Sequence, residues 1–386
     1  MPNESGASSA SRRQFLQGAS LTAAAFSIVQ PQSVRGTQAN SAITVGLIGC
    51  GGRGTYDTGN IVADPRAKVV ALCDLFDDRI ETAKSKLKLE NPKTFNDFEK
   101  LLAEPGIDAV LIATPPFEHP RMLEAAVEAK KHIYCEKPMG VDLEGVHRVI
   151  KASRQADPAK TLAVGFQQRY GPVYLEAFKL LQDGSLGELA TARAYWIGGD
   201  PFQIHHSDDP KVEKLRNWFA YRDLSGDIIV EQDCHNFDVL HWFLNARPIS
   251  AVGVGGRKIR TNMDILDNLS LSFRFPNNIN VNYEANQLTP PGFSHVGEEF
   301  TGTKGTIATS RKSMIHFIAP KQQTEMVSKR DITIDALEDF LTRIQNSQPE
   351  NVGERSAVST MFALLGRASI YSGKEVTWKG EFGDDV

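Results

Sequence analysis

Five ionisable side chains are crowded into segment 230–243, among residues that otherwise suit a protein core. Glu231, His235 and Asp238 are spaced by four and three positions, so on a regular α-helix they lie along one stripe. Such a stripe can carry acid–base catalysis or hold a metal ion, and it can equally be the polar edge of a packed helix. His241 lies on the other side of that helix beside Trp242, where a structural role is expected.

A glycine pattern near residue 50 has the spacing of a phosphate-binding turn. Gly49-x-Gly51-x-x-Gly54 directly follows the apolar run AITVGLIG and precedes a segment with helical character. In a dinucleotide-binding unit the first glycine permits the tight turn and the second lets the backbone approach the pyrophosphate. The third allows close packing of helix and strand. We therefore expect a dinucleotide on the turn that comprises Gly49, Gly51, Gly52, Arg53 and Gly54.

The next predicted strand ends at Asp74, twenty residues after Gly54. A carboxylate there accepts hydrogen bonds from the adenosine ribose and repels a 2′-phosphate, so NAD is expected rather than NADP. Arg53 can also bind phosphate, which leaves NADP possible. Asp74 can alternatively cap the following helix, DDRIETA, and the two roles are compatible.

A further strand is predicted to end in the sequence ATPPFEHP, which carries Thr114, Pro115 and His119. Ligands collect at the carboxyl ends of parallel strands, so Thr114 and Pro115 are expected over the cofactor. The sequence allows two hypotheses for His119: it contacts the nicotinamide side of the cofactor, or it caps the helix that follows.

Alternating strand and helix patterns continue from residue 43 to 164 and predict a doubly wound parallel sheet of the Rossmann type. From residue 165 to 386 the β segments follow one another with two-residue alternation, which predicts an open antiparallel sheet flanked by helices. Helices are also expected near 333–347 and 354–373. The chain therefore divides into a leader, 1–42, a dinucleotide-binding domain, 43–164, and a substrate and oligomerisation domain, 165–386.

The sequence CEKPMG, at 135–140, follows the predicted glycine turn and its strands. With VGFQQRYGP, RNWFAYRDLSGD and LLGRASIYSGKEVTW in this order, the chain from about residue 43 onward resembles the glucose–fructose oxidoreductase/inositol dehydrogenase/rhizopine-catabolism (Gfo/Idh/MocA) family. The resemblance implies an oxidoreductase of sugars or cyclitols, and it implies homo-oligomers that form through the open sheet.

The resemblance also assigns roles to individual residues. It implies that Lys137 contacts the substrate hydroxyl and the nicotinamide ribose, with Glu136 at the cofactor. It implies an acid–base group on the helix that begins near Asp227, where family members often read Asp-x-x-x-His-x-x-Asp. In this chain Glu231 replaces the first acid, while His235 and Asp238 match. It further implies that Arg169 and Tyr170 bind substrate, and an interdomain hydrogen bond is the equal alternative for them.

These residue types suit the oxidation of a secondary alcohol, in which hydride leaves for the nicotinamide and the hydroxyl proton must be removed. His235 can take that proton near neutral pH because an unperturbed imidazole has a pKa of about 6.5. Lys137 can stabilise the developing alkoxide by its charge. Glu231 and Asp238 can orient the imidazole or bind neighbouring hydroxyls. The Lys137–Pro138 bond is a candidate cis peptide.

Three other functions compete with a sugar or cyclitol dehydrogenase. A related enzyme can break a glycosidic bond through transient oxidation and elimination, without net formation of NADH. A metal enzyme can use Glu231, His235 and Asp238 as ligands, although it leaves Lys137 and the glycine turn unexplained. A non-catalytic dinucleotide-binding protein would not need the Lys–His pair. We expect a dehydrogenase with no metal site.

Composition excludes other classes of partner. The chain has 386 residues and a net charge of −4, with basic residues scattered, so no nucleic-acid surface is expected. Its four cysteines lack the spacing of a metal site and are expected to be free.

The N-terminal segment reads as a twin-arginine export signal. Arg12 and Arg13 precede a weakly apolar run from Phe15 to Val29, which is too short to span a bilayer comfortably. We therefore expect a periplasmic or otherwise exported protein that carries its nicotinamide cofactor with it, without stable membrane insertion.

Overall fold

The computed structural model describes residues 42–319 and 322–383. The predicted export signal lies outside these residues. The described chain from Ile43 onward belongs to one compact unit built on two β-sheets. None of the described helices is long and apolar enough to cross a membrane. All four cysteines are buried and free, as the sequence predicted.

The first sheet has six parallel strands in the order β3-β2-β1-β4-β5-β6, the doubly wound order expected of a Rossmann fold. Its central strands are almost continuously buried, because helices cover both faces. The strands are β1 Ile43–Ile48, β2 Ala67–Cys73, β3 Lys93–Phe95, β4 Ala109–Ile112, β5 His132–Cys135 and β6 Leu162–Val164. The helices between them are α1 Gly52–Ala63, α2 Asp77–Lys86, α3 Phe98–Ala103, α4 His119–Glu128 and α5 Leu143–Gln155.

The second sheet has nine strands in the order β14-β13-β12-β11-β7-β10-β9-β8-β15. The sequence predicted an antiparallel sheet, and the pairing is antiparallel except where β10 runs parallel to β7. That one parallel pair makes the sheet mixed. Its strands are β7 Leu189–Gly198, β8 Ser250–Gly256, β9 Asn268–Arg274, β10 Asn280–Gln287, β11 His295–Gly302, β12 Thr306–Thr309, β13 Ser313–Ala319, β14 Gln322–Val327 and β15 Val376–Thr377.

Helices cover one face of this second sheet, and the alternation of buried and exposed residues along β9 and β10 records it. The remaining helices are α6 Pro172–Gln182, α7 Pro210–Arg216, α8 Arg222–Ser225, α9 Ile228–Glu231, α10 Cys234–Leu244, α11 Ile332–Gln345, α12 Gly353–Ser372 and α13 Trp378–Phe382. The Phe237 ring on α10 packs against Phe273, Tyr283 and Phe362 at centroid distances of 4.6–5.6 Å. This aromatic core fixes α10 and α12 on the sheet.

Helix α11 packs on the first sheet although it comes late in the chain. Its residues Ala336, Leu337, Phe340 and Leu341 belong to the same buried cluster as the β1 residues. The Phe340 ring meets Tyr134 of β5 edge-on at 5.7 Å. The dinucleotide-binding fold is therefore completed by a segment about 170 residues beyond its last strand, and sequence alternation alone did not predict this.

Candidate active site

The glycine turn between β1 and α1 has the geometry that its motif predicts. Gly49 has φ +97°, and a Cβ there would come within 2.6 Å of the Ala113 backbone. A Cβ on Gly54 would lie 2.0 Å from the Gly49 carbonyl oxygen, so only glycine permits this approach of helix to strand. A Cβ on Gly51 would meet no protein atom within 4 Å. Gly51 therefore leaves its backbone open towards the cleft.

Asp74 lies at the carboxyl end of β2, beside the glycine turn. One carboxylate oxygen accepts a hydrogen bond from the Cys50 N–H at 2.8 Å, and the other accepts from the Phe76 N–H at 3.0 Å. Burial raises the pKa of this carboxyl, and the two backbone N–H groups oppose that effect. Helix α2 begins at Asp77 and takes no side-chain cap from Asp74, so the capping alternative is wrong.

Arg53 on α1 reaches across the floor of the cleft to Glu136, which follows β5. Its Nε and Nη2 lie 3.1 and 3.0 Å from Glu136 Oε1, and Nε also lies 3.1 Å from Asp57 Oδ2. Asp57 is completely buried, and burial, together with the nearby Glu136, raises its pKa to about 9. Arg53 thus holds two acidic side chains, Asp57 and Glu136, together beneath the cleft.

Lys137 follows Glu136 and enters the cleft with an acidic partner. Its Nζ lies 2.5 Å from the Glu231 carbonyl oxygen and 3.1 Å from Glu231 Oε1. Burial alone would lower the pKa of this ammonium, but Glu231 and nearby groups outweigh it and the pKa is raised. Lys137 is therefore charged at neutral pH. The Lys137–Pro138 bond is cis.

The predicted helical stripe is wrong in part, because the helix is interrupted. α9 ends at Glu231 and α10 begins at Cys234. Between them the Asp233 N–H donates to the Ile228 carbonyl oxygen at 3.1 Å, a five-residue spacing that widens the turn. The widened turn changes the angle between Glu231 and the residues of α10. Glu231 and His235 line the cleft, and Asp238 does not.

His235 stands in an aromatic pocket at the cleft wall. Its ring stacks on Trp196 at 5.7 Å and meets Phe166 edge-on at 6.1 Å. Burial lowers its pKa well below the ordinary value, and the cations Lys137, Arg311 and Arg53 lower it further. Nδ1 is buried without a hydrogen-bond partner among the described residues, so proton exchange with a ligand falls to Nε2. His235 is therefore a neutral base at physiological pH.

Asp238, Arg169 and Tyr170 lie outside the cleft. Arg169 Nε and Nη2 approach both oxygens of Asp238 at 2.8–3.1 Å, and Ser359 donates a further bond to Asp238 at 2.7 Å. Tyr170 packs on the core beneath α11. The sequence left substrate binding and a hydrogen-bonding role equally open for Arg169 and Tyr170. The structure favours the second for Arg169, which pairs with Asp238, and packs Tyr170 against the core. Nothing in their geometry supports substrate binding.

Of the predicted cofactor residues that follow β4, two line the cleft and one does not. Thr114 and Pro115 line the cleft, as expected. His119 is the first residue of α4 and does not line the cleft. Its ring nitrogens lie 2.7 Å from the Pro138 carbonyl oxygen and 2.9 Å from that of Thr114. His119 therefore links the loop that carries Thr114 to the loop that carries Lys137. Neither hypothesis from the sequence predicted this role.

The cleft has a volume of about 700 Å³ and runs from the glycine turn to the edge of the second sheet. Several polar and aromatic residues that line the cleft were not predicted from the sequence. They are Phe76, Arg79, Gln167, Trp196, Phe202, Arg216, Gln232, Gln287 and Arg311. Trp218, in the segment RNWFAYRDLSGD that forms part of the family resemblance, also lines the cleft, and Tyr221 of the same segment does not.

The proposed metal ligands do not converge. No group of three or more His, Cys, Asp or Glu side chains in the described part of the chain could hold a metal ion. Asp238 pairs with Arg169 and does not line the cleft. The metal-enzyme alternative therefore has no ligand set at the residues proposed for it.

A dinucleotide fits the residues that are present. Gly51 leaves space where a pyrophosphate would lie, next to the N-terminus of α1 with its unpaired N–H groups. The carboxylate of Asp74 lines the cleft where a ribose would lie, and Thr114, Pro115 and Glu136 line the continuation towards Lys137. The cofactor-binding residues predicted from the sequence thus lie in or directly under one continuous groove, with His119 behind it.

Comparisons with known proteins agree with this geometry. Residues 43–166 match the family model described as an oxidoreductase family with an NAD-binding Rossmann fold. Residues 174–308 match the GFO/IDH/MocA C-terminal domain, and the two models together cover more than half of the chain.

Relatives and solved structures of the same kind extend over most of the chain. Myo-inositol 2-dehydrogenase of Thermotoga maritima is 24% identical over 346 residues, which cover 86% of this chain and 97% of that protein. The scyllo-inositol 2-dehydrogenase (NAD(+)) of Bacillus subtilis is 26% identical over 78% of this chain and 81% of its own. The fold is shared with scyllo-inositol dehydrogenase from Lactobacillus casei with bound NAD(H) and scyllo-inositol. That structure has a TM-score of 0.71 at 21% identity, with 87% and 99% of the two chains covered. The chain is a member of the Gfo/Idh/MocA family of oxidoreductases.

Proposed function

We propose that this protein is an NAD-dependent dehydrogenase that oxidises a secondary hydroxyl of a sugar or cyclitol. The observation that carries the proposal is that Lys137 and His235 line one cleft with the glycine turn and Asp74. The two similar proteins named above act on inositols, which supports a polyhydroxylated ring as the substrate. When bound, NAD⁺ supplies the hydride acceptor.

Lys137 and His235 divide the remaining chemistry between them. The Lys137 ammonium, held by Glu231, donates a hydrogen bond to the substrate oxygen and stabilises negative charge as it develops there. His235 is kept neutral by burial and neighbouring cations, so its Nε2 accepts the hydroxyl proton. Trp196 holds the imidazole plane by stacking. Gln232 and Gln287 add amide groups that can hydrogen-bond further ring hydroxyls.

The preference for NAD over NADP rests on Asp74. Its carboxylate repels a 2′-phosphate, although Arg79 and Arg216 stand at the same end of the cleft. Arg216 is already engaged, because its guanidinium pairs with Asp78 at 2.6 and 3.0 Å and covers the Phe76 ring at 4.1 Å. The affinities of purified protein for NAD⁺ and NADP⁺ test this preference directly, and tighter binding of NADP⁺ would contradict it.

The same contact supports tight retention of the cofactor. The Arg216–Asp78 pair joins helix α7 to helix α2. Helix α7 follows β7, and α2 lies beside the end of the cleft that holds the glycine turn and Asp74. Phe202 and Phe219 stack at 3.9 Å in the same segment, and Phe202 lines the cleft. The segment that carries Phe202 and Arg216 is thus held across this end of the cleft and slows the escape of a bound nucleotide. Slow escape suits an exported enzyme that works where free NAD is scarce.

Export itself is proposed from Arg12 and Arg13 and the apolar run that follows them. Fractionation of cells that express the full chain would test it, with Lys in place of both arginines as the matched variant. We expect the protein in the periplasm and the variant retained in the cytoplasm. Equal distribution of the two would count against this route.

Association through the second sheet is proposed from the family resemblance and from the outer face of β8. Val252 and Val254 are 51% and 72% exposed there. A second copy that covers this face would bury both valines. Light scattering of the purified protein should give a multiple of the chain mass, and Val254→Glu should shift it towards the monomer. A monomer at all concentrations would contradict the proposal.

The principal experiment identifies the cofactor and then the reaction. Denaturing the purified protein should release NAD(H), and sugars and cyclitols should then be screened for reduction of the bound cofactor. Lys137→Ala and His235→Ala should each lose turnover while they retain the cofactor, and His205→Ala, an exposed histidine, should keep both. Release of free sugar from a glycoside without NADH would instead support the elimination reaction. Retained turnover in both variants would refute the assignment.

A further inference from the structure

Arg311 lies at the substrate end of the cleft, on the hairpin turn between β12 and β13. The turn is held by Ser310, whose N–H donates to the Ser313 carbonyl oxygen at 2.7 Å and whose hydroxyl accepts from the Ser313 N–H at 3.0 Å. Arg311 Nη2 donates to Gln167 Oε1 at 2.9 Å. The guanidinium is thus positioned by a neutral amide and by an ordered turn.

Most cations in the cleft are balanced by an acid. Carboxylates stand within 4.0 Å of four of them, in the pairs Lys137–Glu231, Arg53–Glu136, Arg121–Glu118 and Arg216–Asp78. Arg311 has no such partner among the residues that the structure describes. Arg79 has none there either, but it lies at the other end of the cleft, where it opposes the effect of burial that raises the pKa of Asp74.

Arg311 acts electrostatically on two acids, Glu298 and Asp331, whose oxygens are hydrogen-bonded to other groups. Both oxygens of Glu298 accept hydrogen bonds, from Asn236 and Thr309, at 2.6 Å each. Asp331 accepts from the Tyr56 hydroxyl and caps α11 through the Thr333 N–H. The substrate end of the cleft therefore carries one guanidinium that, among the described residues, has no carboxylate within 4.0 Å.

This charge is aimed at the substrate region rather than at the cofactor phosphates. Its partner Gln167 follows β6, three strands from β1 in the sheet, which corresponds to about 14 Å at ~4.8 Å per strand. Arg311 is also one of the three cations that act on His235 and lower its pKa. The guanidinium and the imidazole thus face the same space.

Building on the proposed dehydrogenase function, we propose that the substrate is a sugar acid and that Arg311 binds its carboxylate while Lys137 and His235 act on a hydroxyl of the same molecule. A carboxylate accepts two parallel N–H bonds from one guanidinium. Gln167 takes only one of the two N–H groups of Arg311 Nη2, so the second can still pair with the N–H of Nε or Nη1 beside it. One unpaired guanidinium matches one negative charge, whereas a dianionic phosphate would call for more.

Binding of matched sugars to the NAD-loaded protein tests this inference without any need for turnover. Calorimetry should compare D-glucuronate, D-galacturonate and D-gluconate with D-glucose, D-galactose and D-glucitol. We expect at least one acid to bind roughly tenfold or more tightly than its neutral counterpart, as a charged hydrogen-bond pair allows. Arg311→Gln should remove that preference, while Lys312→Gln, an exposed neighbour on the same turn, should keep it.

Other outcomes overturn the inference. They are a preference for neutral sugars, binding of none of the three acids, or an acid preference that persists in Arg311→Gln. A large loss of NAD⁺ affinity in Arg311→Gln would assign the residue to the cofactor and would also overturn it. Acid binding that depends on Arg311 but never leads to NADH would leave this inference standing and refute the dehydrogenase function instead.

Discussion

The Lys137–Glu231 ion pair gives the sharpest test of how the cleft holds its charge. Glu231→Gln keeps the shape and the oxygen acceptor but removes the negative charge that opposes burial of the ammonium. The backbone carbonyl of residue 231 still accepts from Lys137 Nζ. The variant therefore isolates the electrostatic contribution of a single carboxylate.

The size of the effect follows from the geometry. The two charges are 3.1 Å apart, and their side chains are 12% and 24% exposed. At an effective dielectric constant of about 20, that separation corresponds to roughly 5 kcal/mol of attraction. Screening by water at this partly open site removes about half of it, so we expect Glu231→Gln to lower the free energy of unfolding by about 2–3 kcal/mol at neutral pH.

The pH dependence gives the sign of the effect. The raised pKa of Lys137 means that the pair contributes its full stability below the unfolded-state lysine pKa and loses it as pH rises through the folded-state value. In Glu231→Gln, burial lowers the lysine pKa, and the penalty disappears once the ammonium releases its proton. The stability difference between the two proteins should therefore narrow as the pH rises from about 7 to about 10.

Urea unfolding of cofactor-free protein across this pH range measures the difference. Glu124→Gln serves as the control, because its pair with Arg148 is 30% and 42% exposed and should change stability by less than about 1 kcal/mol. Equal stability of Glu231→Gln and the parent at neutral pH would refute the reasoning. A difference that grows with pH would refute it as well.

Three further outcomes are expected. Gly54→Ala should abolish NAD⁺ binding in equilibrium titration, because a Cβ would lie 2.0 Å from the Gly49 carbonyl oxygen. Gly59→Ala on the same helix, with its nearest neighbour at 3.7 Å, should bind normally. On the acid side, kcat/KM for alcohol oxidation should fall only below about pH 6.5, because His235 must be neutral to accept the proton and its pKa is lowered. A fall that begins above that pH would contradict the role of His235 as the base. Phe237→Ala should cost about 3–5 kcal/mol in chemical unfolding, and a loss below ~1 kcal/mol would show that the aromatic core collapses around the gap.

Local patterns predicted the first sheet well because each requirement is local. Apolar runs define strands that are buried on both faces, and the glycines at 49 and 54 are dictated by backbone conformation and by the approach of one helix. Asp74 and Lys137 come just after β2 and β5, and all parallel strands of a sheet present their carboxyl ends at one edge. The order of strands therefore predicted that the glycine turn and Asp74 lie at one edge, and the family resemblance added Lys137.

The substrate end was predicted less completely, for reasons that involve other parts of the chain. The helical stripe assumed an unbroken helix, and a single five-residue hydrogen bond between Ile228 and Asp233 separated Glu231 from the turns that follow. Asp238 then found Arg169, a partner that no spacing within its own helix reveals. The same holds for His119, whose two partners are carbonyl oxygens on separate loops.

The sequence by itself determined that this chain forms a dinucleotide-binding sheet, because residue type and local spacing carry that information. The resemblance of its motifs to a known family predicted Lys137 and His235 as the reacting pair. Only the tertiary structure decided which side chains surround the pair. Gln287 and Arg311 reach the cleft from strands and turns far along the chain, and helix α11 returns to the first sheet. Such contacts depend on how two sheets pack together, and a periodic pattern within one segment contains no record of its distant neighbours.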